Sequence, residues 1–151
     1  MFKLKIIALA LALSATSVAA HKKGCTDSNA LALNMYHEAR GEGSDGMQMV
    51  GEVTLNRVKS SRYPNTICKV VYQHKQFSWT HTVSNHTPHE KKLWSEAKEI
   101  AAKLMSGKAE LFDNGATHFL NPKAVKHMPR WARKFEVVGR VGNHVFYEHD
   151  T

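Results

Sequence analysis

The sequence predicts an α+β domain, mainly helical, with a small antiparallel sheet toward its C-terminal end. Three observations lead there. Apolar residues recur every three or four positions in three stretches between Ala30 and Leu104. Beyond Gly115 that period gives way to short runs rich in valine and aromatic residues. Glycine and proline fall between these stretches, where elements should end.

Residues 1–20 read as a signal peptide and are set aside from the fold. Lys3 and Lys5 give a basic start, Ile6 to Leu13 an apolar stretch, and Val18-Ala19-Ala20 a small-residue cleavage site. The apolar stretch is too short to span a bilayer, and no later one is long enough. Residues 21–151 then suit one catalytic-size domain with one core.

Thr26, Asp27 and Ser28 offer N-caps for a first helix through Ala30, Leu31, Leu33 and Met35, stopped by Gly41 and Gly43. Ser44 or Asp45 caps a second helix carrying Met47, Val50, Val53, Leu55 and Val58. The Tyr63-Pro64 step breaks helical geometry, because the residue before proline is pushed toward extended backbone. A short helical turn follows Thr66 through Ile67, Val70 and Val71. Gln73 to Pro88 is polar and aperiodic, a long loop of the kind that often carries function. Thr87-Pro88-His89-Glu90 predicts a capping box for a helix with Leu93, Ala97, Ile100, Ala101 and Leu104 inward and Gly107 as its stop. Strands are expected over 116–120, 135–138 and 144–148, the last two forming a hairpin around Gly142 and Asn143.

The formal charge is +8. Loss of Lys3 and Lys5 with the leader leaves +6, because the leader holds no acidic residue. Such an excess raises encounter rates with anionic partners without choosing among wall polymers, lipids and nucleic acid. Cys25 and Cys68 both lie beyond the leader, and an isolated pair in an oxidising compartment is expected to form one disulfide. Closing that loop contributes about 4 kcal/mol in the chain-entropy account.

One run concentrates the chemistry: Tyr36-His37-Glu38-Ala39-Arg40-Gly41-Glu42. Cleaving a glycosidic bond needs a proton for the leaving oxygen, so one carboxyl must stay protonated near neutral pH, and burial among apolar groups achieves this. Glu38 closes a helix bearing Leu31, Leu33, Met35 and Tyr36 and precedes a sharp turn. Taken alone, an exposed glutamate paired with Arg40 explains the same residue. Gln76, Phe77, Ser78 and Trp79 supply amide and aromatic groups for a sugar ring, and Trp131 a second wall. Core packing competes for each aromatic residue and takes Trp94. Asn121 and Asn56 are candidates for acetamido groups, with backbone capping as the competing role.

The order of segments is similar to one family, the SleB-like cell-wall hydrolases of spore cortex-lytic type. The resemblance rests on Glu38-Ala39-Arg40-Gly41-Glu42, Gly46 and Gln48, Asn56-Arg57-Val58, Tyr63-Pro64-Asn65-Thr66, and Gln76-Phe77-Ser78. It continues through Ala116-Thr117-His118-Phe119-Leu120-Asn121-Pro122 and Gly142-Asn143-His144-Val145-Phe146. It implies a lysozyme-like single domain cleaving between N-acetylmuramic acid and N-acetylglucosamine, usually as a lytic transglycosylase, with Glu38 as the catalytic residue. His118 positions the sugar or the acid in this comparison. Two departures stand out: His37 occupies a position often held by glycine, and His118-Phe119 replaces the usual aromatic pair. Ordinary hydrolysis needs a second carboxylate, for which Glu42 and Glu52 are the nearby candidates.

The expected partner is therefore the glycan strand of peptidoglycan, met outside the cytoplasm in periplasm, envelope or medium by a monomer. No cofactor, metal, nucleic acid or membrane span is called for. Two alternatives remain open at this level. His81, His86 and His89 with Glu90 suggest a zinc amidase, although the H-E-x-x-H spacing is absent. A non-catalytic basic module binding glycan or nucleic acid is the other.

Overall fold

The structure is a computed structural model that describes residues 22–149. The expected leader, 1–20, lies outside the described residues, as do His21 and the last two positions. Five helices precede a three-stranded antiparallel sheet: α1 Asp27–Ala39, α2 Gly43–Lys59, α3 Ile67–Val71, α4 Trp79–Thr82 and α5 Lys91–Met105, then β1 His118–Leu120, β2 Glu136–Val141 and β3 His144–Glu148. One 3-10 turn, Arg40–Glu42, joins α1 to α2, and another, Trp131–Arg133, lies between β1 and β2. Among the described residues no helix is long and apolar enough to cross a membrane.

Helix α1 is the central element. Leu31, Met35, Tyr36 and Asn34 are buried on it, and α2, α3 and α5 all pack against it. The face of α2 that meets it includes Thr54, whose hydroxyl accepts from Asn34, while Gly46, Val50, Val53 and Arg57 form another buried line at helical spacing. Gly51 sets how closely these helices approach: a Cβ there would lie 2.6 Å from both Met35 Sδ and Leu104 Cδ1. Helix α5 turns Ala97, Ala101 and Leu104 inward, as its periodicity predicts, and stops before Gly107 at φ +70°. Helix α3 carries a true side-chain cap, with Thr66 Oγ1 accepting from Lys69 N–H at 3.3 Å.

Other expected caps are not formed, because their polar side chains are engaged over longer range. Thr26 occupies the N-cap of α1 without a side-chain bond, while Asp27 Oδ1 accepts the Cys68 N–H at 2.9 Å. Helix α2 begins at Gly43, and the Ser44 hydroxyl donates to Glu96 on α5. No capping box forms at Thr87: α5 starts at Lys91, and Glu90 turns its carboxylate to Arg40 Nε at 2.6 Å. The long polar loop also contains α4, whose buried anchor is Trp79.

Cys25 and Cys68 form the expected disulfide, with Cα atoms 6.3 Å apart across a separation of 43 residues. It ties the segment before α1 to α3, beside the Asp27 contact.

Strand order is β1-β3-β2, so the last strand is central. His118 pairs with Tyr147 and Leu120 with Val145, while Val141 pairs with His144 around the two-residue turn Gly142-Asn143. Strand β2 runs past Gly139 with a register shift after Val137, longer than its sequence suggested. A second apolar cluster of Leu120, Val145 and Tyr147 covers one side of the sheet and seats Val125, Met128, Trp131 and Phe135.

Replacing Cys25 and Cys68 by alanine is expected to cost about 4 kcal/mol of stability. Urea unfolding of the double variant beside the oxidised protein checks this; equal midpoints would show that the cross-link contributes nothing.

Candidate functional site

Glu38 occupies the penultimate position of α1, where the helix runs out into the 3-10 turn. It lines an open cleft of about 440 Å³ with His37, Arg40, Gly41, Glu42, Glu90 and Leu93. Burial pushes its carboxyl up to about 7, from an ordinary 4.5, against the opposing pull of the Arg57 guanidinium. The acid is therefore substantially protonated at neutral pH.

Arg57 is the common neighbour of this region, and the sequence gave it no role beyond its place in a motif. It is 5 % exposed. Its Nε donates to the Thr117 carbonyl at 2.8 Å and its Nη1 to Gln76 Oε1 at 3.4 Å. Its guanidinium carbon lies 5.2 Å from the Tyr63 ring centre and 5.1 Å from that of Phe77. Its place in line with Val50 and Val53 on the inward face of α2 is the signal that could have revealed it.

The sheet supplies a second cluster, which adjoins Arg57 through Thr117. His118 lies 4.9 Å from the Trp131 ring and 4.8 Å from Phe135, with Tyr63 at 6.5 Å. Burial, reinforced by the charges of Arg57 and His149, pushes its imidazole down to about 4, so it stays neutral at physiological pH. Thr117 Oγ1 shares a hydrogen bond with its Nδ1 at 3.0 Å.

The sequence-predicted residues thus divide. Around Arg57 the fold gathers Gln76, Phe77 and, through Thr117, the His118 wall with Trp131 behind it. Phe77 is 3 % exposed and stacks toward Phe119, so it supports the wall from within the core. Ser78 is exposed, and its carbonyl accepts the Thr82 hydroxyl at 2.8 Å as α4 begins. Trp79 is corrected from a sugar platform to a core residue. It is 3 % exposed, its indole N–H donates to Asn34 Oδ1 at 2.9 Å, and one face is covered by the His37 ring at 4.6 Å. Asn121 is drawn into a turn by the Lys123 N–H at 2.9 Å, and Asn56 donates to the Ala116 carbonyl at 3.0 Å. Both serve the backbone.

Neither candidate second carboxylate is idle. Glu42 accepts the Asn143 backbone N–H at 2.8 Å and its amide at 3.3 Å, and these bonds hold its carboxyl below the usual range. Glu52 is buried and accepts the N–H groups of Phe112 and Asp113 at 3.1 and 3.2 Å, anchoring the segment after α5. Tyr36 is the organiser on the helix side. Its hydroxyl accepts from the N–H of His89 and of Glu90 and donates to Glu90 Oε2. The histidines weighed for zinc are dispersed: the His86 ring stands edge-on to Trp79 and its carbonyl meets His37 Nε2 at 3.0 Å, while His81 is exposed. Among the described residues no three His, Cys, Asp or Glu side chains converge as a ligand set.

The chain belongs to the cell wall hydrolase family, whose model matches residues 41–147, beginning just after Glu38. It is 26% identical over 122 residues to the spore cortex-lytic enzyme of Oceanobacillus iheyensis, and 27% identical over 137 residues to that of Bacillus subtilis strain 168. Those alignments cover 80% and 87% of this chain but 41% and 42% of the relatives, so it spans about two fifths of their length. The fold matches the catalytic domain of the germination-specific lytic transglycosylase SleB from Bacillus anthracis, with a TM-score of 0.65 and 26% identity over 84% of this chain and 99% of that one. The Bacillus cereus SleB catalytic domain matches with a TM-score of 0.66, over 84% and 94% of the two chains.

The raised Glu38 carboxyl has a consequence for stability. Folded, it titrates near 7, and unfolded near 4.5, so unfolding releases a proton between those values. Its contribution therefore turns unfavourable as pH rises through that window and levels off above 7. Glu38→Gln is expected to be more stable than wild type at pH 8 by about 2 kcal/mol and equal to it near pH 4. Urea titrations at the two pH values check this, and a difference independent of pH would contradict burial as the cause.

Proposed function

We propose that this chain is an exported peptidoglycan-cleaving enzyme that breaks the bond between N-acetylmuramic acid and N-acetylglucosamine as a lytic transglycosylase. The observation that carries the reading is a single half-buried carboxyl, Glu38, held protonated to about pH 7 in an open cleft. The similarity to the SleB catalytic domain of Bacillus anthracis, a germination-specific lytic transglycosylase, supports the same class of reaction.

Glu38 donates its proton to the glycosidic oxygen, and the N-acetylglucosamine side departs as an alcohol. The resulting carboxylate is stabilised by the Arg57 charge. It then accepts the proton of the muramic 6-hydroxyl as that oxygen closes on the anomeric carbon. The product is a 1,6-anhydro sugar, and Glu38 ends the cycle protonated, so one carboxyl performs both transfers. A hydrolytic route requires a second carboxylate to activate water. The other acids lining the cleft are committed elsewhere, Glu42 to the hairpin turn and Glu90 to Arg40. His118, neutral and beside Trp131, offers a hydrogen bond and an aromatic edge to a sugar in the same groove. Gln76 and Ser78, both exposed, border it. The basic, apolar and small-residue sequence of positions 1–20 and the disulfide fit delivery to an oxidising compartment.

Mass spectrometry of purified peptidoglycan digested by the mature protein is expected to show anhydro-muropeptides. Glu38→Gln is expected to lower their formation by roughly 10²–10⁴-fold. Reducing-end sugars would mean hydrolysis instead, and undiminished products from Glu38→Gln would remove the residue from the mechanism. Because the acid must be protonated, kcat/KM is expected to fall above about pH 7.

A further inference from the structure

We propose that the cationic flap between β1 and β2 is a docking surface for the carboxylates of stem peptides carried by a glycan strand lying in the Glu38 cleft. The proposal rests on the glycan-cleaving reading for the identity of the strand.

The flap is chemically one-sided. From Asn114 to Phe135 the chain has no aspartate or glutamate, yet Lys123, Lys126, Arg130, Arg133 and Lys134 fall within it. All five are exposed. Between them Val125, Met128, Trp131, Ala132 and Phe135 pack onto Leu120, Val145 and Tyr147. The alternation pins the apolar residues to the sheet and presents the cations outward on one fixed face.

These charges do little for the fold. The ion pairs among the described residues are Arg40 with Glu90 and Lys103 with Glu99, and neither touches the flap. Lys123 Nζ reaches Asn143 Oδ1 at 3.3 Å and adds to the field on Glu42. Arg133 Nη2 donates to the Met128 carbonyl at 3.3 Å. Five like charges on one short segment repel each other, and an anionic partner relieves that repulsion.

Position selects the partner. Lys123 in the flap bonds Asn143, whose N–H and amide are held by Glu42, and Glu42 lines the Glu38 cleft, so the flap adjoins that cleft. A glycan of N-acetylated sugars is itself neutral. Its regularly spaced negative charge comes from the peptides on the muramic lactyl groups, and these emerge beside any strand held in the cleft. The flap lacks the features that other polyanions need. Trp131 and Phe135 are both partly buried against the sheet, so the flap presents no run of exposed rings on which successive bases could stack. None of the exposed large apolar side chains lies on it to enter a lipid layer.

Co-sedimentation with purified sacculi, native or with carboxyls converted to amides, tests the proposal independently of catalysis. The mature chain carrying Glu38→Gln is expected to bind native sacculi about tenfold more tightly than amidated ones. Adding Lys126→Gln, Arg130→Gln and Arg133→Gln is expected to abolish that preference, whereas Arg130→Lys with Arg133→Lys keeps it. Equal binding to both sacculi, or a preference that survives the triple glutamine variant, would overturn the flap assignment. So would a preference eliminated equally by competing DNA or anionic vesicles at matched charge. If the preference appears while the wild-type protein releases no glycan fragments, the flap assignment stands and the transglycosylase reading falls.

Discussion

The buried guanidinium of Arg57 is the constraint on which the candidate site depends. A cation placed inside a small domain must be paid for by bonds and nearby negative density. Here the Thr117 carbonyl, the Gln76 amide oxygen and two aromatic faces supply them. These partners come from three segments, so satisfying one charge on α2 draws the Tyr63 turn, the Gln76-Phe77 loop and the entry to β1 onto that helix. Glu38 is then buried with a cation close enough to moderate the effect of burial. Desolvation outweighs the attraction, and the net rise leaves the acid titrating around neutrality. A fully buried carboxyl without Arg57 would hold its proton too tightly to release it, and an exposed one would have lost it already.

The same economy governs the acidic residues around the cleft. Glu42 and Glu90 lie at the ends of elements and Glu52 in the middle of α2, and each is held by a backbone amide or an arginine. Glu42 ties the α1–α2 turn to a hairpin turn about a hundred residues later, where Gly142 adopts φ +57° and leaves space for the carboxylate. The carboxylates thereby act as structural pins, leaving one acid available to chemistry.

Much of this architecture was legible locally. Helices α1, α2 and α5 declare themselves by apolar spacing, and the Gly142-Asn143 turn by its composition. Glu38 stood out through the order of segments around it, because its local setting fits an exposed glutamate paired with Arg40 equally well. What escaped the sequence was pairing over distance. Ser44, Asp27 and Glu90 look like helix caps to a local reading, but partners 41 to 52 residues away hold Ser44 and Asp27, and Arg40 holds Glu90. Trp79 looked exposed because its neighbours are polar. Its burial depends on Asn34, a polar residue inside α1 that also donates to Thr54 and offers its oxygen to the indole. No local pattern announces a polar socket built from another helix.

The β1-β3-β2 order carries a temporal consequence. The strand that both others require is the last of the described elements in chain order, and so the last of them to be synthesised. The helical layer, with Glu38 and the two bridged cysteines, can consolidate while His118 still lacks the strand it pairs with. A growing chain therefore holds its acid before the sheet beside Arg57 is complete.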